Sequence, residues 1–495
     1  MRKGIPQIKI PIRKSNLTIE AIEPYLESVF AQFEKNARQI RRDYDFYCLD
    51  HPILGKTRPH DDTDVNNIVI VPDLKSMVDW KTGYVFGNPI KYAQSQTSDT
   101  DDINYLNKYV RNVCQRSVDK EVGTWAYSTG VGYYFIEPKS DDFNIENEAP
   151  YVLYSVDSDT CAKVYSSFLG NEPLFDLIYT CYEEIDENKL KKKVKVLDIY
   201  LNSELFTFEK RLGVGFWKRT NTQKRGGLWK PLPLIEKRFN ADGIGIVAMG
   251  ESMQHAVDKI ISNGLDNIED IVNEIFVYKN VNLGANPEEQ KANHTAMKRN
   301  GAVVLNTPSG STAEADLETV STKLSLGEVK ELYGIINERF HATVGVPMAT
   351  SNTNSGGTTK QGSEVANGYE NAYNRALDDI NTFIKADTEL LNKIMWICQN
   401  TPNNKIDKLA ASEIDIKYAL NLTDNILTKT QSYVNLVQTG VPPTIALRLC
   451  KLSNDPEAEG KLIDDYIAEK ERRSIENQKA VAEAQQSQNG NNSQE

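Results

Sequence analysis

Paired cysteines, clustered histidines, long apolar runs and a basic charge excess are all missing from this sequence, and each absence removes a class of protein. The six cysteines, Cys48, Cys114, Cys161, Cys181, Cys398 and Cys450, show no CxxC or CxxH spacing. That excludes a zinc site or a disulfide framework and suits reduced thiols. The five histidines lie far apart, with no HxH or HxxxH pair to hold a metal. No run reaches the ~18 apolar residues of a membrane span, and the start, MRKGIPQIKIPIRK, has no apolar core of signal-peptide length. The expectation is a protein made and assembled in cytosol without a membrane anchor. The net charge of −12 argues against binding nucleic acid by neutralising phosphates, which needs a basic face.

What is present suits a folded chain: 40% apolar and 9% aromatic residues over 495 positions, long enough for two to four domains. Residues 16–47 space Ile19, Ile22, Leu26, Val29, Phe30, Phe33 and Ile40 at helical intervals, with Pro24 marking a start or bend. Further helices are predicted over 74–85 and 101–127. From 131 to 220 short runs rich in Val, Ile, Tyr and Phe alternate with Asp, Asn, Gly and Pro, which predicts an antiparallel β region. A helix over 248–279, roughly 45 Å long, carries a stripe from Met253 and Val257 to Ile271 and Ile275, with a weak point at Asn263-Gly264. Its other faces are acidic: Glu251, Asp258, Asp266, Glu269, Asp270 and Glu274.

A compact mixed segment follows, with a strand predicted at 302–305. A capping box, Ser325 to Glu328, opens a helix that ends near Val344. Then GVPMATSNTNSGGTT, residues 345–359, runs without a charge in a chain that is 25% charged. It separates two of the longest helical patterns, because 360–399 is again periodic. A strand over 413–420 and a small helical region to Arg473 complete the pattern. The last stretch, SIENQKAVAEAQQSQNGNNSQE, has little to bury and is predicted to be disordered.

Two enzyme-like motifs fail on their context. Leu54-Gly55-Lys56-Thr57 resembles the end of a phosphate-binding loop, but Asp50 stands where the first glycine belongs, and RRDYDFYCL before it reads as helix. Gly243-Ile-Gly245 precedes a helix but lacks the βαβ unit of a dinucleotide site, so a hinge is the better reading. Asp61 with Asp62, or Asp99 with Asp101 and Asp102, read as acidic surface loops. No constellation supports catalysis, a metal or a cofactor.

One set of motifs is specific in its order. HPIL at 51–54, NNIVIV at 66–71, VDWKTGYVFGNPIKY at 78–92 with Gly87-Asn88-Pro89, Ile235 to Asn240, DKIISNGLDNIEDI at 258–271 and GVP at 345–347 precede a Ser/Gly loop and a long helix. Together, from about 44 to 472, they resemble the SPP1-type family of bacteriophage portal proteins. The resemblance implies an α+β portal-protein fold with a β-rich wing, a two-helix stem, a small α/β clip, a long wing helix and an α-helical crown. On this sequence that gives an N-terminal arm (1–16), wing (17–247), stem helix (248–279), clip (280–322), second stem helix (323–344), tunnel loop (345–359), long wing helix and strand (360–422), crown (423–472) and disordered tail (473–495).

The implied function is a homo-oligomeric ring, a dodecamer in the virion, at one capsid vertex. Double-stranded DNA would enter and leave through it without sequence recognition. Implied partners are the terminase motor, the major capsid and scaffolding proteins and a head-tail connector, with no membrane; the implied location is the virion, and the host cytoplasm during assembly. Ser351, Asn352, Thr353, Asn354, Ser355, Gly356, Gly357 and Thr358 then face DNA. Lys360 either touches a phosphate or caps its helix. The acidic residues of 248–279 would keep DNA centred, although one helical pattern does not say which of them face it. Two alternatives remain: another ring-forming phage neck or connector protein, or a nucleotide-dependent DNA-processing enzyme using Gly55-Lys56-Thr57.

Overall fold

The computed structural model describes residues 4–57, 66–94, 101–139, 143–185, 191–211, 216–272, 275–279, 286–300, 316–320, 326–347, 360–406, 409–421, 426–450, 452 and 459–475. The chain divides into two compact units, residues 1–418 and 419–495.

The first unit begins with β1 (Ile8–Ile10), whose isoleucines alternate into the interior. Thr18 caps a short helix α1 (Ile19–Ile22) by accepting the Ala21 amide. Pro24 sits in a 3-10 turn, Glu23–Tyr25, and α2 (Leu26–Tyr47) follows, so the proline bends the predicted helix and does not start it. Next come α3 (Asp73–Phe86), β2 (Lys91–Gln94), α4 (Asp101–Asn112) and α5 (Gln115–Thr129). The single helix predicted over 101–127 is thus two, broken where Cys114 takes a left-handed φ of 54°.

The predicted β region holds seven strands, β3 (Val131–Pro138), β4 (Tyr151–Val156), β5 (Cys161–Ser166), β6 (Pro173–Ile185), β7 (Lys191–Tyr200), β8 (Glu204–Arg211) and β9 (Lys218–Lys224), followed by β10 (Leu234–Arg238). Six strands join in the order β1-β5-β6-β7-β8-β9, and three in the order β10-β3-β4. β1 pairs parallel to β5, with Ile8 opposite Val164. Residues 1–16, expected as a separate arm, are therefore partly built into the sheet: burying Ile8 and Ile10 outweighs leaving them in water by roughly 1.5–3 kcal/mol each. The opposite edge, β9, is fully exposed and reads KRTNTQK, a cationic edge that discourages pairing with another strand. Val29, Phe30 and Phe33 of α2 pack on Phe175, Leu177, Leu197, Phe206 and Phe208 of the large sheet.

The long helices follow. α6 (Ile246–Val272) runs unbroken through Asn263-Gly264. The expected helix of 248–279 stops seven residues early: Ile275–Lys279 is a strand, β11, paired antiparallel with β12 (Asp316–Val320) around α7 (Pro287–Asn300). IFVYK is β-branched and aromatic, so pairing wins once a partner strand is in reach. The strand expected at 302–305 lies outside the described residues. α8 (Leu326–Val344) packs against α6, and α9 (Lys360–Asn400) spans 41 residues, about 60 Å. β13 (Ile414–Lys417), shorter than the predicted 413–420, pairs with β2 from more than three hundred residues earlier. Leu390, Ile394 and Ile397 of α9 close a core with Leu106, Val122, Tyr134 and Ile235.

The second unit contains α10 (Ile426–Gln438), α11 (Pro443–Cys450) and a helix α12 over 459–475. The boundary drawn at 473 thus falls inside a helix, and 476–495 lies outside the described residues.

Candidate functional site

Residues 66–72 belong to no helix or sheet, so their backbone groups need partners elsewhere. α6 supplies them through one line of polar side chains, Gln254, Asp258, Ser262 and Asp266, four residues apart. The amide of Asn67 donates to Asp266 Oδ1 (2.6 Å), that of Val69 to Ser262 Oγ (3.0 Å), that of Val71 to Asp258 Oδ1 (3.0 Å) and that of Leu74 to Gln254 Oε1 (3.0 Å). Gln254 Nε2 donates in turn to Val71 O (2.6 Å). The match is geometric. Four helical residues rise about 6 Å and two extended residues about 6.6 Å, so successive turns of α6 meet the alternate amides of Asn67, Val69 and Val71, while Gln254 meets Leu74 in the first turn of α3.

Charged partners complete this seam. His51 Nδ1 lies 2.6 Å from Asp258 Oδ2, both fully buried, and the imidazole stacks on Phe46. Lys56 Nζ donates to Asp266 Oδ2 (2.5 Å) and to Asn67 O (3.2 Å). Arg42 reaches Glu251 Oε1 at 2.9 Å. Burial alone would raise the Asp266 pKa, but the Lys56 and Asn67 hydrogen bonds outweigh it and hold the carboxyl below its ordinary value. The glycine-lysine-threonine at 55–57 is hence a structural element whose lysine binds a carboxylate and a carbonyl.

A second set of charges, buried except for the half-buried Glu389, fixes α9. Lys81 of α3 meets Asp379 (2.8 Å), Lys237 of β10 meets Asp387 (2.7 Å), and Lys163 of β5 meets Glu389 (2.5 Å). Tyr127 also donates to Asp379, and Tyr418 to Asp387. Apolar contacts alone would let a helix slip by a turn; charged rungs at three fixed heights do not.

Lys237 is also 3.0 Å from Tyr134 Oη, which donates to Asp119 Oδ1 at 2.9 Å. Burial pushes Asp119 up to about 7 against the opposing charge of Lys237, with Asp387 adding to the rise. A folded-state pKa above the unfolded value means stabilisation that is complete below about 3.8 and is lost as pH rises through about 7. The urea midpoint is therefore expected to fall between pH 4 and pH 7. In Asp119→Asn, which does not titrate, the profile over that interval is expected to be flatter.

The residues singled out in the sequence separate. Glu251, Asp258 and Asp266 are paired within their own chain, with Arg42, His51 and Lys56. Glu269 and Asp270 lie on α6 with side chains outside the described set, and Glu274 lies outside it altogether. Ser351, Asn352, Thr353, Asn354, Ser355, Gly356, Gly357 and Thr358 are outside the described residues too; Lys360 opens α9, its side chain not described. Gly243 precedes α6 with a φ of +64°, a turn that only glycine takes easily. Among the described residues no group of three or more His, Cys, Asp or Glu could hold a metal, and no helix is long and apolar enough to cross a membrane.

The sequence model of the family described as "Phage portal protein, SPP1 Gp6-like" matches residues 26–474. The chain belongs to this family. Portal proteins of this type are structural, non-enzymatic components of phages, which removes the nucleotide-dependent enzyme from consideration. The portal protein of Bacillus phage SPP1 is 24% identical over 299 residues, 54% of this chain and 54% of that protein, so the chain spans about half the length of this curated relative. Among solved structures, a chain from the neck of an empty GTA particle, computed with C6 symmetry, is 13% identical with a TM-score of 0.44, over 77% of this chain and 90% of that one.

Two motifs that carry the portal resemblance, NNIVIV and DKIISNGLDNIEDI, turn out to be the two sides of the polar seam. The sequence held one signal for it, the four-residue spacing of Gln254, Asp258, Ser262 and Asp266 beside the apolar stripe. Alone, that line reads as a solvated face. Nothing local points to amides nearly two hundred residues earlier.

Proposed function

We propose that this chain is the portal subunit of a phage particle. It closes into a ring at one capsid vertex, a dodecamer in the virion, and the ring is the channel for double-stranded DNA in packaging and ejection. α6 and α8 are the stem. The segment between them is the clip that meets the head-tail connector, and the packaging motor docks on the same assembly. The β sheets with α9 form the wing, and α10 to α12 the crown. The uncharged loop of 345–359 lies nearest the DNA.

The observation that carries this reading is the apolar surface on the paired helices. Leu265 and Ile268 of α6 are 38% and 42% exposed, and Leu332 and Ile335 of α8 are 48% and 52% exposed. Two helices of one subunit cannot hide all their apolar faces, whereas identical neighbours in a closed ring can. A net charge of −12 per subunit also suits a channel that DNA passes without adhering. Any centring of DNA by carboxylates then falls to Glu269, Asp270 and Glu274, since the other three are engaged in the seam.

Negative-stain images of purified protein are expected to show rings with a central hole. The pair Leu332→Glu and Ile335→Glu is expected to give folded subunits without rings. Pore-free particles from the unsubstituted chain under all conditions would end this reading.

A further inference from the structure

α6 has two faces taken up by its own chain and a third that is open. Gly250 and Gly264 mark the face that meets α8: a Cβ at Gly250 would collide with the Phe340 ring, and Val329 is the nearest neighbour of Gly264. The line from Gln254 to Asp266 is spent on residues 67–74. His255, Lys259 and Asn263 make the third line. Five residues separate His255 from Gly250 and Lys259 from Gly264, about 140° in each case and in opposite senses, so this line lies on the far side of α6 from α8. A cavity of about 410 Å³ opens there, walled by these three residues and by Pro52, Ile53 and Gly55, with a mostly apolar surface. A cavity of ~150 Å³ in a protein core holds a benzene, so this one has room for two aliphatic side chains.

The outer side of α8 carries what such a cavity takes. Leu332 and Ile335 are exposed, and Ile335 stands five residues before Phe340, again about 140° from the face that meets α6. Glu331 and Glu338, both exposed, lie four residues before Ile335 and three after it, while Arg339 lies on the Leu332 side. At the cavity, Lys56 is taken by Asp266, but Lys259 is exposed and has no carboxylate partner among the described residues. A Cβ at Gly55 would meet nothing within 4 Å. The subunit's own packing therefore does not require glycine at this position, and its bare backbone leaves the cavity open.

We propose that the cavity between residues 52–57 and α6 receives Leu332 and Ile335 of a neighbouring copy of this chain, with Lys259 paired to the glutamates beside them. Ridge and cavity are different surfaces on the outer sides of one helix pair. A contact between them is head-to-tail, so every copy keeps one ridge and one cavity for the next, and such a contact closes into a ring when its rotation allows. The two apolar side chains supply the attraction by leaving water. The lysine and the glutamates set which way round the two copies meet. This contact rests on the ring reading above and names the surfaces that join one subunit to the next.

The test follows ring formation of the full chain by native mass spectrometry over a dilution series. Gly55→Phe fills the cavity from within. It is expected to leave the thermal midpoint of the unassembled subunit unchanged and to raise the concentration needed for rings at least about tenfold. Lys259→Glu replaces an attraction by a repulsion and is expected to raise it about tenfold. Adding Glu331→Lys and Glu338→Lys to the same chain is expected to bring it back near the unsubstituted value. A photo-reactive benzoylphenylalanine at position 263, in rings mixed from unlabelled and isotope-labelled subunits, is expected to cross-link to 331–338 of a copy with the other label. Unaltered assembly of Gly55→Phe would overturn the contact. So would cross-links confined to one copy or to other segments, or no recovery of Lys259→Glu by the reversed glutamates. Normal rings from every variant remove this contact and leave the portal reading standing, whereas no rings from the unsubstituted chain end both.

Discussion

On the proposed portal function, replacing both Asn352 and Asn354 by lysine is expected to slow or stall packaging while rings still assemble. Duplex DNA presents one negative charge per ~1.7 Å of its axis. A lysine meeting a phosphate at contact is worth about 1 kcal/mol in water and about 4 kcal/mol near a protein surface. Repeated around a ring of loops, even one such contact per subunit sums to adhesion on the order of 10 kcal/mol. Because phosphates recur at intervals, this adhesion rises and falls as the duplex advances, and the rises are barriers. About 1.4 kcal/mol of added barrier already slows translocation about tenfold. Asparagine, serine and threonine exchange hydrogen bonds between phosphate and water at little net cost. Single-molecule or bulk packaging rates check this, with ring formation verified by microscopy. Normal rates in the doubly substituted ring would show that loop charge is irrelevant and leave the composition of 345–359 without this explanation.

Asp258→Ala is expected to cause the largest loss of stability among single substitutions in the seam, about 3–5 kcal/mol, because it strands buried partners of a charge. The carboxylate serves His51, the Val71 amide and Gln254 at once. Removing it leaves an imidazole and a backbone amide buried without acceptors, on a segment with no sheet to fall back on. Asp258→Asn keeps an acceptor for Val71 and is expected to cost about 1 kcal/mol, that of one ordinary hydrogen bond. Denaturant midpoints measure the global effect. Hydrogen exchange at Asn67, Val69 and Val71 measures the local one, and all three amides are expected to lose protection in the alanine variant. If they exchange as slowly as in the unsubstituted protein, the seam does not hold the segment.

The local pattern was legible wherever one periodicity ran through several turns or strands. Ile19 to Ile40 gave the bent first helix, the Val/Ile/Tyr runs of 131–220 gave the β region, and the periodicity of 360–399 gave α9 almost to the residue. The order of motifs from HPIL to GVP gave the family. Helix ends were less legible: IFVYK at 275–279 suits a helical stripe and a strand alike, and only the arrival of Asp316–Val320 decides between them.

The roles of charged residues were decided by tertiary structure. Asp258 and Glu269 look alike along a helix, since composition and spacing report only that a carboxylate is present. Whether it meets solvent, DNA or a buried histidine depends on which distant segment is packed against that face. Asp258 is paired with His51 and the Val71 amide, and Lys237 with Asp387, across more than a hundred residues of chain. Hydrophobic burial is non-directional and leaves a periodic trace in sequence. A buried ion pair is a single contact between two points, and it becomes visible only when the fold has brought them together.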